Sequence, residues 1–223
     1  MVGWTGNPTV AAQGECSAVT GGGLARDTTT KRTGELYSGK LSGMASGAKK
    51  GSESFFVSPH VDGDNYYFSV PFYVVTRPTA NNRFFGVTAA SFSVPEVRFE
   101  LKSTGEVELQ ETGAGVIATT AVLSLNTWYV LGLRFKRDAA QPNTTLDQLE
   151  LTLDGVSIGS SSSLAISTVA TRMQFGGNLN TEAQTQGEWY FGGVRVNTSA
   201  GRDRKSTRLN SSHIQKSRMP SSA

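Results

Sequence analysis

Apolar and polar residues alternate over many short segments of the chain, which is the pattern of half-buried β-strands. The longest of these segments runs from Tyr66 to Val75, and its alternate apolar positions are Tyr66, Phe68, Val70, Phe72 and Val74. Pro71 lies in the middle of this segment and has no backbone N–H, so the strand is predicted to be bulged or unpaired on one side there. Helix formers are sparse, and no segment shows a convincing helical period.

Further short segments with the same alternation predict an all-β fold, an antiparallel jelly-roll β-sandwich. They are Tyr37–Leu41, Glu53–Ser58, Phe84–Ser91, Val97–Lys102, Glu106–Thr112, Trp128–Arg137, Gln148–Leu153, Val156–Ile158, Met173–Phe175 and Trp189–Val196. Residues 1–30 are rich in Gly and small polar residues and are predicted to be irregular. No linker or repeat divides residues 1–202, which are expected to form one domain.

The segments Val97–Lys102 and Glu106–Thr112 form the clearest predicted hairpin. The connection Ser103-Thr104-Gly105 ends in a glycine, which suits the left-handed position of a bulged three-residue turn. If Lys102 pairs with Glu106 across this turn, Glu100 lies opposite Glu108.

Composition first indicates a basic protein, because 21 basic and 18 acidic residues give a formal charge of +3. The excess lies in residues 203–223, which resemble a translated sequencing adapter: Asp203–His213 reads as one constant stretch and Ser217–Ala223 as the next. We therefore expect a non-native, disordered tail on a truncated, metagenomic gene whose true N- and C-termini the sequence does not give. The remaining 202 residues carry a net charge of −1, so no nucleic-acid partner is expected.

Other classes of protein are excluded by composition. No run of about 18 apolar residues exists, so no membrane insertion is expected. The single cysteine, Cys16, rules out an internal disulfide and a cysteine-based zinc site. The only histidine outside the tail, His60, is expected to lie on the surface, and no signal peptide is visible.

Four segments resemble the second half of concanavalin A-like, laminin-G-like jelly rolls. They are Asn126–Asp138 (NTWYVLGLRFKRD), Leu149–Ser160 (LELTLDGVSIGS), Met173–Leu179 (MQFGGNL) and Glu188–Asn197 (EWYFGGVRVN), and Arg32–Leu41 resembles the family's R-T-G-x-x-S-L strand. The resemblance covers roughly residues 30–198. It implies a non-catalytic module of a phage virion or cell-surface protein, extracellular or in the virion, that binds glycans or protein subunits. Gly192 and Gly193 stand where the family pattern has two aspartates.

A catalytic alternative rests on Glu106, Glu108 and Glu111. Their spacing, E-x-E-x-x-E, is similar to the E-x-D-x-x-E of jelly-roll glucanases, which are glycoside hydrolases that use a carboxylate pair. The competing interpretation is that these are solvated residues neutralised by Lys102 and Arg98. A third alternative is a purely structural decoration protein of a virion.

Candidate ligand-binding residues are Tyr67, Tyr73 and Arg134. The two tyrosines lie on the predicted face opposite Phe68 and Phe72, where they would be exposed to stack on a glycan, whereas Trp128 and Trp189 are expected at sheet edges. Asp62 and Asp64 are weak calcium candidates that a turn before the next strand explains equally well. No cofactor and no other metal is expected.

Overall fold

The computed structural model describes residues 17–18, 25–36, 38–41, 50–55, 61–88, 95–140, 144–167, 169–177, 179 and 187–197. Cys16, His60 and residues 203–223 lie outside these residues, and so do the predictions about them. The described part contains fifteen strands and no helix, and thus no helix long and apolar enough to cross a membrane. The all-β prediction is confirmed.

The strands are numbered in chain order. They are β1 (Ser17–Ala18), β2 (Ala25–Asp27), β3 (Ser38–Leu41), β4 (Lys50–Phe55), β5 (Tyr66–Thr76), β6 (Asn82–Thr88), β7 (Val97–Leu101), β8 (Val107–Glu111), β9 (Gly115–Thr119), β10 (Trp128–Lys136), β11 (Asp147–Leu153), β12 (Val156–Leu164), β13 (Arg172–Gly177), β14 (Glu188–Phe191) and β15 (Arg195–Asn197).

Two antiparallel sheets form a jelly-roll sandwich. The seven-stranded sheet has the order β1-β4-β13-β6-β7-β8-β9, and the eight-stranded sheet has the order β12-β11-β10-β5-β14-β3-β2, with β15 also paired to β5. Many neighbours in these sheets are distant in sequence, as β13 beside β6 shows. Side chains that lie far apart along the chain are therefore brought onto one face.

The core lies between the sheets and is rich in aromatic rings. The predicted inward face of β5 is confirmed, since Tyr66, Phe68, Val70, Phe72 and Val74 are all at most 3% exposed. Phe72 stacks on Phe84 of the other sheet with ring centroids 4.2 Å apart, which joins the two layers. Trp189 is fully buried and donates from Nε1 to the Gly176 carbonyl at 2.8 Å, so its predicted place at a sheet edge is wrong.

Pro71 interrupts one side of β5, as predicted. On one side the strand pairs with β10 without a break, and Pro71 lies opposite Val130. On the other side β14 pairs with Phe72–Thr76 and β15 pairs with Tyr67–Ser69. The last segment of the sheet, 188–197, is therefore divided into these two strands opposite Pro71. A proline cannot donate to the ladder, and the Gly192 N–H instead reaches the Pro71 carbonyl at 3.0 Å.

Some strands depart from the prediction. β9 was not predicted, because Gly115–Thr119 is short and its residues are mostly exposed, with little apolar alternation. β12 extends to Leu164 through four serines that carry no hydrophobic signal. β1 and β2 lie within the region predicted to be irregular. These strands form through pairing with a neighbour, and intrinsic β-propensity is a weak guide to such pairing.

Candidate active site

The outer face of the seven-stranded sheet carries polar side chains that are almost fully buried. Alternation along β7 turns Val97, Phe99 and Leu101 inward and leaves Arg98 and Glu100 on the outer side, where each is 8% exposed. Charged residues are rarely buried to this extent unless they are paired. We call this surface the outer polar face; its members are Arg83, Arg98, Glu100, Lys102, Glu108, Gln110 and Gln174.

Glu100 and Glu108 face each other across the β7–β8 hairpin. The Lys102 amide donates to the Glu106 carbonyl at 2.9 Å and Glu100 pairs with Glu108, so the predicted register is confirmed. The Lys102 ammonium bridges the pair, with Nζ 3.5 Å from Glu100 Oε1 and 3.3 Å from Glu108 Oε2. Two carboxylates are thus held on adjacent strands by one shared cation.

Other groups fix each carboxylate of the pair. Arg83 of β6 places Nε 3.4 Å from Glu100 Oε2. The side-chain amide of Gln110 donates to Glu108 Oε2 at 2.7 Å. Sequence reasoning missed Arg83 and Gln174 as members of this face, because both reach it only through the pairing of β6 with β7 and with β13.

Arg98 ties the outer polar face to the segment that precedes β7. Its Nε donates to Gln110 Oε1 at 3.3 Å, and its Nη1 donates to Thr112 Oγ1 at 2.8 Å and to the carbonyls of Pro95 and Glu96. Pro95 lies directly over Gly86, since a Cβ at Gly86 would be 2.2 Å from Pro95 Cβ. The glycine therefore allows this segment to pack against the outer polar face.

Glu106 lies beside the pair but differs from it chemically. The Thr104 hydroxyl donates to its carboxylate and is the main cause of a lowered pKa for Glu106. A carboxyl group with a lowered pKa is ionised at neutral pH and is a poor proton donor. Glu106 is therefore unsuited to the role of general acid.

Glu111 lies apart from the other two glutamates of the E-x-E-x-x-E pattern. Positions 106 and 108 share one face of β8, whereas an offset of three further residues turns Glu111 to the opposite face. Glu111 is 3% exposed, and its Oε2 accepts the Ala114 N–H at 2.6 Å. The structure thus separates the predicted trio, and Glu100 is the partner that it gives to Glu108.

Glu111 is expected to stabilise the turn between β8 and β9 without contributing to catalysis. Glu111→Ala removes one charge-assisted hydrogen bond and should lower the free energy of unfolding by about 1.5–3 kcal/mol. Chemical denaturation of the wild type and the variant measures this loss. If the variant is folded but has lost activity, Glu111 would instead belong to the catalytic residues.

Glu35 occupies the space beside Gly192 and Gly193, where the concanavalin A-like pattern has two aspartates. Its Oε1 accepts the Gly193 N–H at 3.0 Å, and a Cβ at Gly192 would lie 2.7 Å from Glu35 Oε2. Oε2 is buried and has no hydrogen-bond partner among the described residues. A carboxylate is therefore present beside Gly192 and Gly193, but it comes from the segment before β3 and not from the segment that joins β14 and β15.

The calcium candidates, Asp62 and Asp64, lie in the turn that precedes β5. Asp62 Oδ1 is 3.1 Å from Nη1 of Arg137, so a guanidinium faces this carboxylate. Asp64 is exposed, and its amide donates to the Val61 carbonyl at 3.1 Å within a turn. Within the described part of the chain, no group of three or more His, Cys, Asp or Glu residues is placed to hold a metal ion.

The ligand-binding candidates lie on the outer face of the eight-stranded sheet. Tyr67 and Tyr73 are both half-buried on β5, and six residues separate them, so they are about 20 Å apart along the strand. Tyr67 pairs with Arg134, which donates to Asn65 Oδ1 at 2.7 Å and to Gln148 Oε1 at 3.2 Å. Tyr73 instead packs against Trp128, with ring centroids 5.2 Å apart.

No protein-family model matches the chain, and no curated protein matches it by sequence. Many solved structures resemble it in fold, including the following three. An endo-β-1,4-glucuronan lyase from Trichoderma reesei has a TM-score of 0.57 at 11% identity, covering 79% of this chain and 87% of that one. The cellulose-induced protein Cip1 has a TM-score of 0.53 at 16% identity, over 88% and 92%. The PL7 alginate lyase AlyA1 from Zobellia galactanivorans has a TM-score of 0.50 at 16% identity, over 75% and 79%.

These neighbours correct the expectation of a non-catalytic binding or structural module. Two of the three are named as polysaccharide lyases, which contradicts the prediction of a non-enzyme and favours the catalytic alternative. At such low identity the likeness establishes the jelly-roll fold alone. The reaction has to be inferred from the residues of the outer polar face.

Proposed function

We propose that the protein is an enzyme that cleaves a polysaccharide by hydrolysis, with its active site on the outer polar face. The observation that carries the proposal is the pair of carboxylates, Glu100 and Glu108, held together by Lys102. Hydrolysis of a glycosidic bond needs two carboxyl groups, one to donate a proton and one to act as nucleophile or base. The described residues of this face place two of them on adjacent strands.

The spacing of the pair suits a retaining mechanism. Residues directly opposite on antiparallel strands have Cβ atoms about 4.5–5.5 Å apart. Retaining glycosidases hold their carboxyl groups about 5–5.5 Å apart, whereas inverting enzymes need about 6.5–9.5 Å to admit a water molecule. One ammonium nitrogen also contacts both Glu100 and Glu108, and this contact is compatible with the shorter range.

The neighbours of each carboxylate suggest how the roles divide. Glu100 contacts two cations, Arg83 and Lys102, which orient its carboxylate and suit it to be the nucleophile. Glu108 faces Lys102 and the neutral amide of Gln110, so it is the better candidate to donate and accept the proton.

We also propose the finer assignment to the concanavalin A-like, laminin-G-like group of jelly rolls. In its support, the four segments that resemble the second half of these domains coincide with β10, with β11 and β12, with β13, and with β14 and β15. The Asp154-Gly155 turn of the second segment has both residues at positive φ, as a tight two-residue turn requires.

A second candidate reaction is β-elimination on a polysaccharide that contains uronic acids. It is favoured by the cations of the outer polar face, Arg83, Arg98 and Lys102, which suit a sugar carboxylate, and by the names of two neighbours. In this reaction a base removes the proton next to the sugar carboxylate, and the glycosidic oxygen leaves with its bonding electrons. The product then carries a carbon–carbon double bond.

Product analysis tests both reactions. The protein is incubated with a panel of neutral and uronic acid-containing polysaccharides, and new reducing ends and ultraviolet absorbance are followed together. Hydrolysis produces reducing ends without absorbance, and elimination produces both. Hydrolysis is the expected result. Absence of new ends from every polysaccharide would contradict the proposed activity, and absorbance with each new end would replace hydrolysis by elimination.

A further inference from the structure

A row of aromatic side chains crosses the outer face of the eight-stranded sheet. Trp128 of β10 pairs with Tyr73 of β5, Tyr73 pairs with Tyr190 of β14, and Tyr190 pairs with Lys40 of β3. Neighbouring strands lie about 4.8 Å apart, so the four residues span about 14 Å perpendicular to the strands. We call these four residues the aromatic row.

In the aromatic row, Tyr190 is buried and held by several contacts, whereas Tyr73 and Trp128 are accessible to solvent. Tyr190 is 4% exposed and meets Tyr73 edge to face at 5.8 Å, while its hydroxyl donates to Glu188 Oε1 at 3.0 Å. The Lys40 ammonium is 3.0 Å from the same Glu188 oxygen and 5.5 Å from the Tyr190 ring. Tyr73 and Trp128 remain half-buried, so these supports orient two rings that solvent still reaches.

Polar groups border the two accessible rings. Asn126 is exposed and has a left-handed φ of 57°, and its amide donates to the Val74 carbonyl at 2.8 Å. Its side-chain oxygen lies 3.5 Å from the Tyr73 hydroxyl. Asn and Asp tolerate such a backbone conformation better than other non-glycine residues, and the bond to Val74 holds the Asn126 backbone beside the rings. Glu188 borders the row on the other side, where it is paired with Lys40.

We propose that the aromatic row binds the sugar rings of a polysaccharide chain, as a second site on the sheet opposite the active site. The flat face of a sugar ring presents C–H groups to an aromatic ring, and its rim presents hydroxyls to amides and carboxylates. Trp128 and Tyr73 supply the aromatic surface, and Asn126 and Glu188 supply the polar partners. Two half-buried rings suit a small amphipathic ligand better than a protein partner, which needs about 1,200–2,000 Å² of interface.

This proposal rests on the proposed function, because it takes the polymer to be the substrate. Binding is therefore measured apart from cleavage, in Glu108→Gln protein titrated by calorimetry and affinity electrophoresis with each polysaccharide of the panel. Trp128→Ala and Tyr73→Ala are added to this background. Tyr67→Ala is the matched control, since Tyr67 is a half-buried tyrosine on the same face of β5 about 20 Å away.

Each variant of the aromatic row is expected to bind the polymer about tenfold more weakly, as the loss of one aromatic contact implies, while Tyr67→Ala binds unchanged. Trp128→Phe should restore most of the affinity, and thermal unfolding verifies that every variant is folded. Equal affinity in the Trp128→Ala and control proteins would overturn the second site and leave the activity standing. Failure of any polysaccharide to bind would overturn both, and self-association that Trp128→Ala abolishes would identify the row as a protein interface.

Discussion

Replacing Glu108 by glutamine is expected to lower the rate of polysaccharide cleavage by about 10²–10⁴-fold, the usual contribution of a general acid or base. Glutamine has the same size as glutamate and can keep part of the contacts with Gln110 and Lys102. Its amide, however, is neither an acid nor a base near neutral pH. Initial rates at saturating and limiting substrate separate the effect on kcat from that on KM. The loss should lie in kcat, because the chemical step is affected more than binding.

Glu100→Gln should lose as much activity, because it removes the nucleophile of the pair. Glu106→Gln is the matched control: it is the same substitution two residues from Glu108, at a carboxylate that Thr104 engages instead. Wild-type rates in the Glu108→Gln protein, or equal losses in all three variants, would contradict the assignment of the catalytic pair.

The stereochemistry of the product gives an independent check on the pair. A carboxyl separation near 5–5.5 Å implies a covalent glycosyl–enzyme intermediate and retention of the anomeric configuration. Early product from the wild type, examined by NMR, should therefore show the anomer of the substrate. Inversion would imply a wider separation of the two carboxyl groups, about 6.5–9.5 Å, and would contradict the retaining mechanism.

The sequence predicted the parts of this molecule that depend on local pattern. The inward face of β5, the β7–β8 hairpin and the register that sets Glu100 opposite Glu108 all follow from alternation of period two and from one turn. The interruption at Pro71 follows from the chemistry of proline itself. Each of these features is specified within a short stretch of chain.

The rest depends on which distant strands become neighbours. Arg83 reaches Glu100 because β6 pairs with β7, and Gln174 joins the outer polar face because β13 pairs with β6. The three-glutamate pattern was misleading for a related reason, since a spacing of i, i+2 and i+5 places the last residue on the other face of a strand. A single sequence carries little information on pairing between distant strands.

Gly192→Asp is expected to destabilise the protein by about 2–4 kcal/mol, although concanavalin A-like jelly rolls have an aspartate in the corresponding place. A Cβ at this position would lie 2.7 Å from Glu35 Oε2 and 2.9 Å from Pro71 Cβ, and the new carboxylate would face that of Glu35. Gly192 is not among the residues with positive φ, so the strain comes from crowding and like charge rather than from the backbone. Chemical denaturation measures the loss.

Gly193→Ala is the matched control, because a Cβ there meets only Glu35 Oε1, at the ordinary contact distance of 3.6 Å. Glu35→Ala alone should cost about 1–3 kcal/mol, since the Gly193 N–H loses its acceptor. If Glu35 fills the space that a side chain at position 192 needs, Gly192→Asp should lower the free energy of unfolding less in the Glu35→Ala background than in the wild type. The coupling energy between the two substitutions should then be about 0.5–3 kcal/mol. If the two losses are additive, it is contact with Pro71, and not contact with the Glu35 carboxylate, that excludes a side chain at position 192.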